Sequence, residues 1–177
     1  MNKLPNTFVK KVLFLVVLSL QSFVAIECSA IDQDATTRQL TREDIQQIVE
    51  CSVQSGEAVV LNALEKLDAD TARGVAETRG KLFLNGLTAV TPEVAGILAT
   101  HRGWLHLEGL RSISPAVAKA LSNHQGWLFL NGIRVLKKDV AIAILPYRGQ
   151  LYLDGVETIT EDVAEIISQR RNGVELY

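Results

Sequence analysis

Pairs of leucines separated by one residue recur along the chain at a fixed interval. Residues 126–132 read Gly-Trp-Leu-Phe-Leu-Asn-Gly, and segments of the same pattern begin at Gly80, Gly103 and Gly149. Each segment begins 23 residues after the one before it. Four matches at one offset indicate an array of a single repeated structural unit.

Within each unit the apolar residues first alternate and then recur at helical spacing. The alternation x-Leu-x-Leu-x predicts a β-strand with both leucines on one face. The positions after it, such as Val94, Ala95 and Leu98, predict a helix with one apolar face. Thr91 and Ser114 stand directly before prolines, where they would cap the first turn of a helix. Each unit is therefore predicted to be one strand followed by one helix.

The units are expected to stack, because a single one cannot bury its own apolar face. The predicted fold class is α/β, a solenoid of 23-residue strand–helix repeats with a parallel sheet on one face and helices on the other. Five complete units and a final strand are predicted, over 57–79, 80–102, 103–125, 126–148, 149–171 and 172–177. The inward strand residues predicted to form the core are Val59, Leu61, Leu82, Leu84, Leu105, Leu107, Leu128, Leu130, Leu151, Leu153, Val174 and Leu176.

The region before the array divides into three segments. Residues 1–30 have the layout of a secretory signal peptide, with Lys3, Lys10 and Lys11 ahead of a short apolar core at 12–20 and small residues at the end. A retained membrane anchor is the alternative, although the apolar stretch is shorter than the ~20 residues that a span requires. Residues 31–40 predict a flexible leader. Residues 41–56 predict a helix that caps the first open end of the array.

Composition and charge favour a globular protein and argue against some classes of function. The chain of 177 residues is 47% hydrophobic and 21% charged, which is typical of a globular protein. Its net charge of −2 removes the usual electrostatic case for binding nucleic acid. Two cysteines give no disulfide framework. Cys28 falls in the signal segment, where lipidation is a further alternative, and Cys51 falls in the predicted capping helix, where burial is expected.

The repeat resembles leucine-rich repeats over about residues 57–177. It is most similar to a 23-residue variant of exported bacterial proteins, in which Leu-x-Leu-Asn-Gly-Leu is followed by a Thr/Ser-Pro helix start. Leucine-rich repeats usually carry asparagine three residues after the second strand leucine. Here apolar residues fill that column, and the asparagines stand earlier, at Asn62, Asn85 and Asn131. The turn is therefore expected to differ. The resemblance implies a protein-interaction scaffold and carries over no catalytic residue.

The strand positions that alternate with the leucines are predicted to form the binding surface. Equal positions in successive units make ladders about 4.8 Å apart across a parallel sheet. The aromatic residues and histidine of these ladders are Phe83, Trp104, His106, Trp127, Phe129 and Tyr152. A polar column beside them, which could donate or accept hydrogen bonds to a ligand, contains Asn85, Glu108, Asn131 and Asp154. Exposed aromatic clusters often mark contact surfaces, although these rings could instead stack only to stabilise the sheet.

These observations predict a secreted or periplasmic, non-catalytic interaction scaffold that binds a protein partner. Two alternatives remain: a carbohydrate-binding module with Trp104 and Trp127 as sugar platforms, and an envelope component that forms homo-oligomers through its last strand. No phosphate loop, nucleophile motif or Cys/His cluster is present, so no enzyme activity, cofactor or metal is predicted. His101 and His124, 23 residues apart, are interpreted as groups that bind carbonyls at helix ends.

Overall fold

The computed structural model describes residues 45–50, 58–169 and 174–175. All of them belong to one compact unit, Gln39–Tyr177. The predicted signal peptide, the leader and Cys51 lie outside the described residues. Within the described part, strands and helices alternate along the chain, and the fold is α/β.

In the described part, six strands form one parallel sheet, and their order in the sheet is their order in the chain. Successive strands pair at the 23-residue offset, so that Leu82 is opposite Leu105 and Leu105 is opposite Leu128. The assigned strands are two or three residues long and thus shorter than the five-residue alternation predicts. They are β1 (Val59–Val60), β2 (Lys81–Phe83), β3 (Trp104–His106), β4 (Trp127–Phe129), β5 (Leu151–Tyr152) and β6 (Val174–Glu175).

A short helix follows each of the first five strands. A further helix, α1, covers residues 45–50 and lies inside the predicted capping segment. The others are α2 (Ala69–Ala76), α3 (Pro92–Leu98), α4 (Pro115–Leu121), α5 (Lys138–Ile144) and α6 (Glu161–Ser168). The predicted caps are confirmed at two starts, where the Thr91 and Ser114 hydroxyls accept the backbone N–H groups of Val94 and Val117. At the start of α6 the Thr160 hydroxyl donates to Asp162 instead of capping the backbone.

One hydrophobic core joins the strands to the helices. The ten predicted inward residues from Val59 to Leu153 are all buried, and the side chains of Val174 and Leu176 lie outside the described part. Ala95, Ala118 and Ala141 are fully buried in their helices. Each consecutive pair of helices from α2 to α6 is in contact. The small alanine side chain allows this close packing, because its Cβ is the only side-chain atom that a neighbour must accommodate.

Glycines allow the backbones of adjacent units to approach closely at both ends of strands β3, β4 and β5. A Cβ atom on Gly103 would overlap the carbonyl oxygen of Gly80, and one on Gly126 would overlap that of Gly103. The glycine that follows each Leu-x-Leu-x segment, such as Gly109, is also pressed against a carbonyl of the preceding unit. These glycines do not have positive φ; among the described residues only Gly80 does. Close approach is thus the reason for glycine here.

Among the described residues, no helix is both long enough and apolar enough to cross a membrane.

Candidate binding surface

The side chains that alternate with the core leucines form an outer aromatic face on the sheet. Because Leu105 and Leu128 point into the core, their neighbours in β3 and β4 point the other way. We define the outer aromatic face by its six rings, which are Phe83, Trp104, His106, Trp127, Phe129 and Tyr152. The strand register brings these predicted site residues together.

The rings form two adjacent stacks that run across the strands. In the first, Trp104 and Trp127 lie with centroids 4.4 Å apart and planes inclined by only 7°. The Lys81 ammonium lies 4.3 Å from the centroid of the Trp104 ring, which is cation–π distance. Trp104 therefore has the other indole and this ammonium as neighbours. Lys81 is a member of this surface that the sequence interpretation did not select.

The second stack contains four rings from four consecutive strands. Phe83 stacks on His106 at 4.1 Å, His106 on Phe129 at 3.9 Å, and Phe129 on Tyr152 at 4.3 Å. His106 is consequently only 8% exposed, although its position points away from the core. Its Nδ1 lies 3.0 Å from the Glu108 carboxylate. The stack thus buries a polar ring among apolar neighbours and gives it one charged partner.

Exposure differs along the outer aromatic face. Trp127 is 40% exposed, which makes it one of the most exposed large apolar side chains of the described part. Trp104, Phe83, Phe129 and Tyr152 are half-buried by one another. Trp127 is therefore the most accessible of the six rings. In the half-buried rings, only the parts not covered by a stacked neighbour are exposed. Large aromatic groups that stay accessible while held rigid are well suited to contact a partner.

The asparagines of the polar column bind the backbone of the next unit. The Asn62 side-chain oxygen accepts the N–H of Asn85 at 3.0 Å, and the Asn85 oxygen accepts the N–H of Glu108 at 3.2 Å. Asn131 repeats this contact with Asp154 at 3.2 Å. The asparagine oxygens thus have a structural role at the strand ends. A role for Asn85, Glu108, Asn131 and Asp154 in ligand binding stays a prediction.

A row of buried polar rings follows three of the helices, just before strands β3, β4 and β5. The Nε2 atoms of His101 and His124 lie 3.2 Å from the carbonyl oxygens of Gly80 and Gly103. The Tyr147 hydroxyl donates to the Gly126 oxygen at 2.6 Å. These side chains contact carbonyls, as predicted for the histidines, but the carbonyls belong to strand starts rather than to helix ends.

Burial changes the acid–base behaviour of the two histidines. Loss of hydration lowers the pKa of His101, and contacts with nearby backbone carbonyls offset part of that effect. Loss of hydration also lowers the pKa of His124, and the neighbouring His101 lowers it further. Both imidazoles are therefore held in the neutral form to lower pH than an ordinary histidine.

The described part offers neither a metal site nor a pocket of clear ligand type. Its His, Cys, Asp and Glu side chains form no group of three or more that could hold a metal ion. A surface depression near the ends of α2 and α3 is lined by Arg73, Glu77, Arg79 and Arg102. Arg73 there is already paired with Asp70 at 2.5 Å. Because both basic and acidic side chains line this depression, its charge does not indicate a particular class of ligand.

Comparison of the chain with protein-family models, with curated proteins and with solved structures finds no match.

Proposed function

We propose that this protein is a secreted, non-catalytic binding protein of the leucine-rich-repeat kind, a solenoid that holds a protein partner against its outer aromatic face. The observation that carries the proposal is Trp127, which is 40% exposed and stacks on Trp104 at 4.4 Å. An exposed aromatic cluster of this type is typical of contact surfaces. Trp and Tyr are also the side chains that most often dominate binding energy at interfaces.

The stacking favours a protein partner over a carbohydrate. Sugars bind tryptophan by laying their C–H groups, which carry partial positive charge, on the negative face of the ring. The Trp104 ring has the Lys81 ammonium at 4.3 Å from its centroid and the Trp127 ring at 4.4 Å, so these neighbours already cover it. A protein segment can instead pack against exposed ring edges and against Trp127. Carbohydrate binding is therefore the less favoured function.

The proposal is tested by capture from the native secretome with three immobilised proteins. They are the wild type, Trp127→Ala, and Ile142→Ala as a matched control. Ile142 is 51% exposed on helix α5 and is apolar, but it is not part of the outer aromatic face. A partner retained by the wild type and by Ile142→Ala, and lost from Trp127→Ala, is the expected result. Equal capture by all three proteins would contradict the proposal.

Two further measurements separate the alternatives. Binding of the wild type to arrayed glycans, with loss in Trp127→Ala, would favour the carbohydrate function. Strand β6 has β5 as its paired neighbour in the described part of the sheet, and an unpaired strand edge can add a further strand. Concentration-dependent association by sedimentation that is unchanged in Trp127→Ala would favour assembly through that edge.

A further inference from the structure

Three buried side chains occupy the same position in successive units. His101, His124 and Tyr147 are 23 residues apart, and each is at most 2% exposed. The ring centroids of His101 and His124 are 6.3 Å apart, as are those of His124 and Tyr147, and the rings are close to parallel. Each ring contacts the carbonyl oxygen of a glycine 21 residues earlier. The same contact with a glycine carbonyl oxygen is thus made by an imidazole in two units and by a phenol in the third.

The two carbonyls that the imidazoles contact lie beside the backbone of the tryptophan pair. The Gly80 oxygen that His101 contacts also accepts the N–H of Trp104, at 2.8 Å. The Gly103 oxygen that His124 contacts belongs to the residue immediately before Trp104. A Cβ atom on Gly126, the residue before Trp127, would also meet this oxygen and the His124 ring. A change in protonation of either imidazole is therefore expected to disturb the backbone just before Trp104 and Trp127, and so the positions of both indoles.

Protonation is poorly accommodated at these two sites. In the neutral form Nε2 carries the proton that is donated to the glycine oxygen, so a second proton must go to Nδ1. Nδ1 is buried in both rings and makes no hydrogen bond with the described residues. Burial opposes the charged form of both rings, and each imidazolium would also repel the other, since their centroids are 6.3 Å apart. The charged side chains next to His101 in the chain and in the preceding unit, Arg102, Glu77 and Arg79, are exposed to water.

We propose that His101 and His124 form a proton-sensitive support for the outer aromatic face, so that acidification loosens the stacked Trp104–Trp127 pair and releases the partner. The part that concerns a partner rests on the proposed function. Loosening of the tryptophan pair does not, and it is measured without any partner. The driving force is hydration: two imidazolium ions 6.3 Å apart are better accommodated when the unit boundary opens to water. Tyr147 shows that the same bond to the glycine can be made by a group that does not change charge in this pH range.

The test follows the circular-dichroism couplet that two stacked indoles produce in the far ultraviolet. In the wild type, the couplet amplitude is expected to fall at least about twofold as the pH is lowered from about 7.5 to about 4.5, across and below the ordinary histidine range. In the double variant His101→Tyr/His124→Tyr, which copies Tyr147, the couplet is expected to persist over the same range. A wild-type couplet that stays constant, or one lost equally in the double variant, would overturn the proposal.

A second measurement keeps the proposal testable if the double variant does not fold. The imidazole carbon-bound protons of wild-type His101 and His124 are followed by NMR during the same titration. Both rings are expected to titrate below the ordinary histidine value, together with loss of the indole couplet. Titration of both rings without any change in the couplet would refute the proposed link. Failure to capture any partner would leave these two results unchanged, and so would count only against the proposed function.

Discussion

The indole ring of Trp104 lies on that of Trp127 with centroids 4.4 Å apart and planes inclined by 7°. The two residues are 23 positions apart and directly opposite in the parallel ladder of β3 and β4. Parallel pairing in register at the 23-residue offset therefore brings these side chains together. Because adjacent strands lie about 4.8 Å apart, flat rings on equal positions can stack face to face.

Replacing one indole should remove the optical signature of this pair. We expect Trp127→Phe to abolish the far-ultraviolet couplet, because exciton coupling requires two indoles. We also expect it to lower the unfolding free energy by no more than about 1.5 kcal/mol, since a phenyl ring keeps part of the stacking. Circular dichroism and urea unfolding check both expectations. A couplet that survives in Trp127→Phe would show that the two indoles are not coupled.

A side chain on Gly126 should prevent the close approach of two units. In Gly126→Ala the new Cβ would overlap the backbone oxygen of Gly103, and the backbone cannot yield as a flexible side chain could. We expect a loss of about 2 kcal/mol or more in unfolding free energy. Gly96→Ala is the control, because Gly96 lies in helix α3 with open space around its Cβ position. It should gain about 0.5–1 kcal/mol from helix propensity. Equal effects in the two variants would contradict the packing described for these units.

The asparagine ladder should contribute measurably to stability. Asn131→Ala removes the oxygen that accepts the N–H of Asp154, and we expect a loss of about 1 kcal/mol. In the control, Asn123→Ala, the lost bond is exposed and joins a side-chain amide to the carbonyl of Ala120. There we expect a change within about 0.5 kcal/mol, as for ordinary surface substitutions. Urea unfolding at neutral pH distinguishes the two, and a smaller effect for Asn131→Ala than for Asn123→Ala would count against a structural ladder.

Global stability should fall in mild acid because of the two buried histidines. Their pKa values are lowered in the folded state, so the unfolded chain binds more protons once the pH falls below about 6.5. Their contribution is complete above that value and declines as the pH falls towards the folded-state pKa values. With two protons taken up, the slope reaches at most about 2.7 kcal/mol per pH unit. Urea unfolding free energies measured from about pH 8 to about pH 5 test this; a constant value would contradict it.

The repeated core was predictable because it depends on periodicity alone. The Leu82, Leu105 and Leu128 column could be read from the sequence, since alternation places these residues on one face and the 23-residue offset aligns them. The helix caps at Thr91 and Ser114 followed from a local pattern with a proline at the first turn. The sequence therefore predicts the features that depend only on a single unit and on the spacing between units.

Contacts between side chains of different units were harder to predict from the sequence. Alternation predicts that His106 points outward, but its burial depends on the rings of Phe83 and Phe129 in the two neighbouring strands. The asparagine oxygens reach backbone groups 23 residues away, which residue type alone does not reveal. The glycine partner of His101 is set by how the chain turns from helix to strand. The sequence does contain one indication of this contact. His101, His124 and Tyr147 occupy the same position in successive units, and each has a ring that can donate a hydrogen bond.

The central claim is that the exposed indole of Trp127 contacts a partner, and a titration isotherm tests it most directly. The affinity of the purified captured protein is measured for the wild type, Trp127→Ala and Ile142→Ala, with an intact fold confirmed for each by urea unfolding. We predict that Trp127→Ala weakens binding at least about 30-fold, as expected for a residue that contributes about 2 kcal/mol or more. Ile142→Ala should bind like the wild type. An unchanged affinity for folded Trp127→Ala would contradict the account.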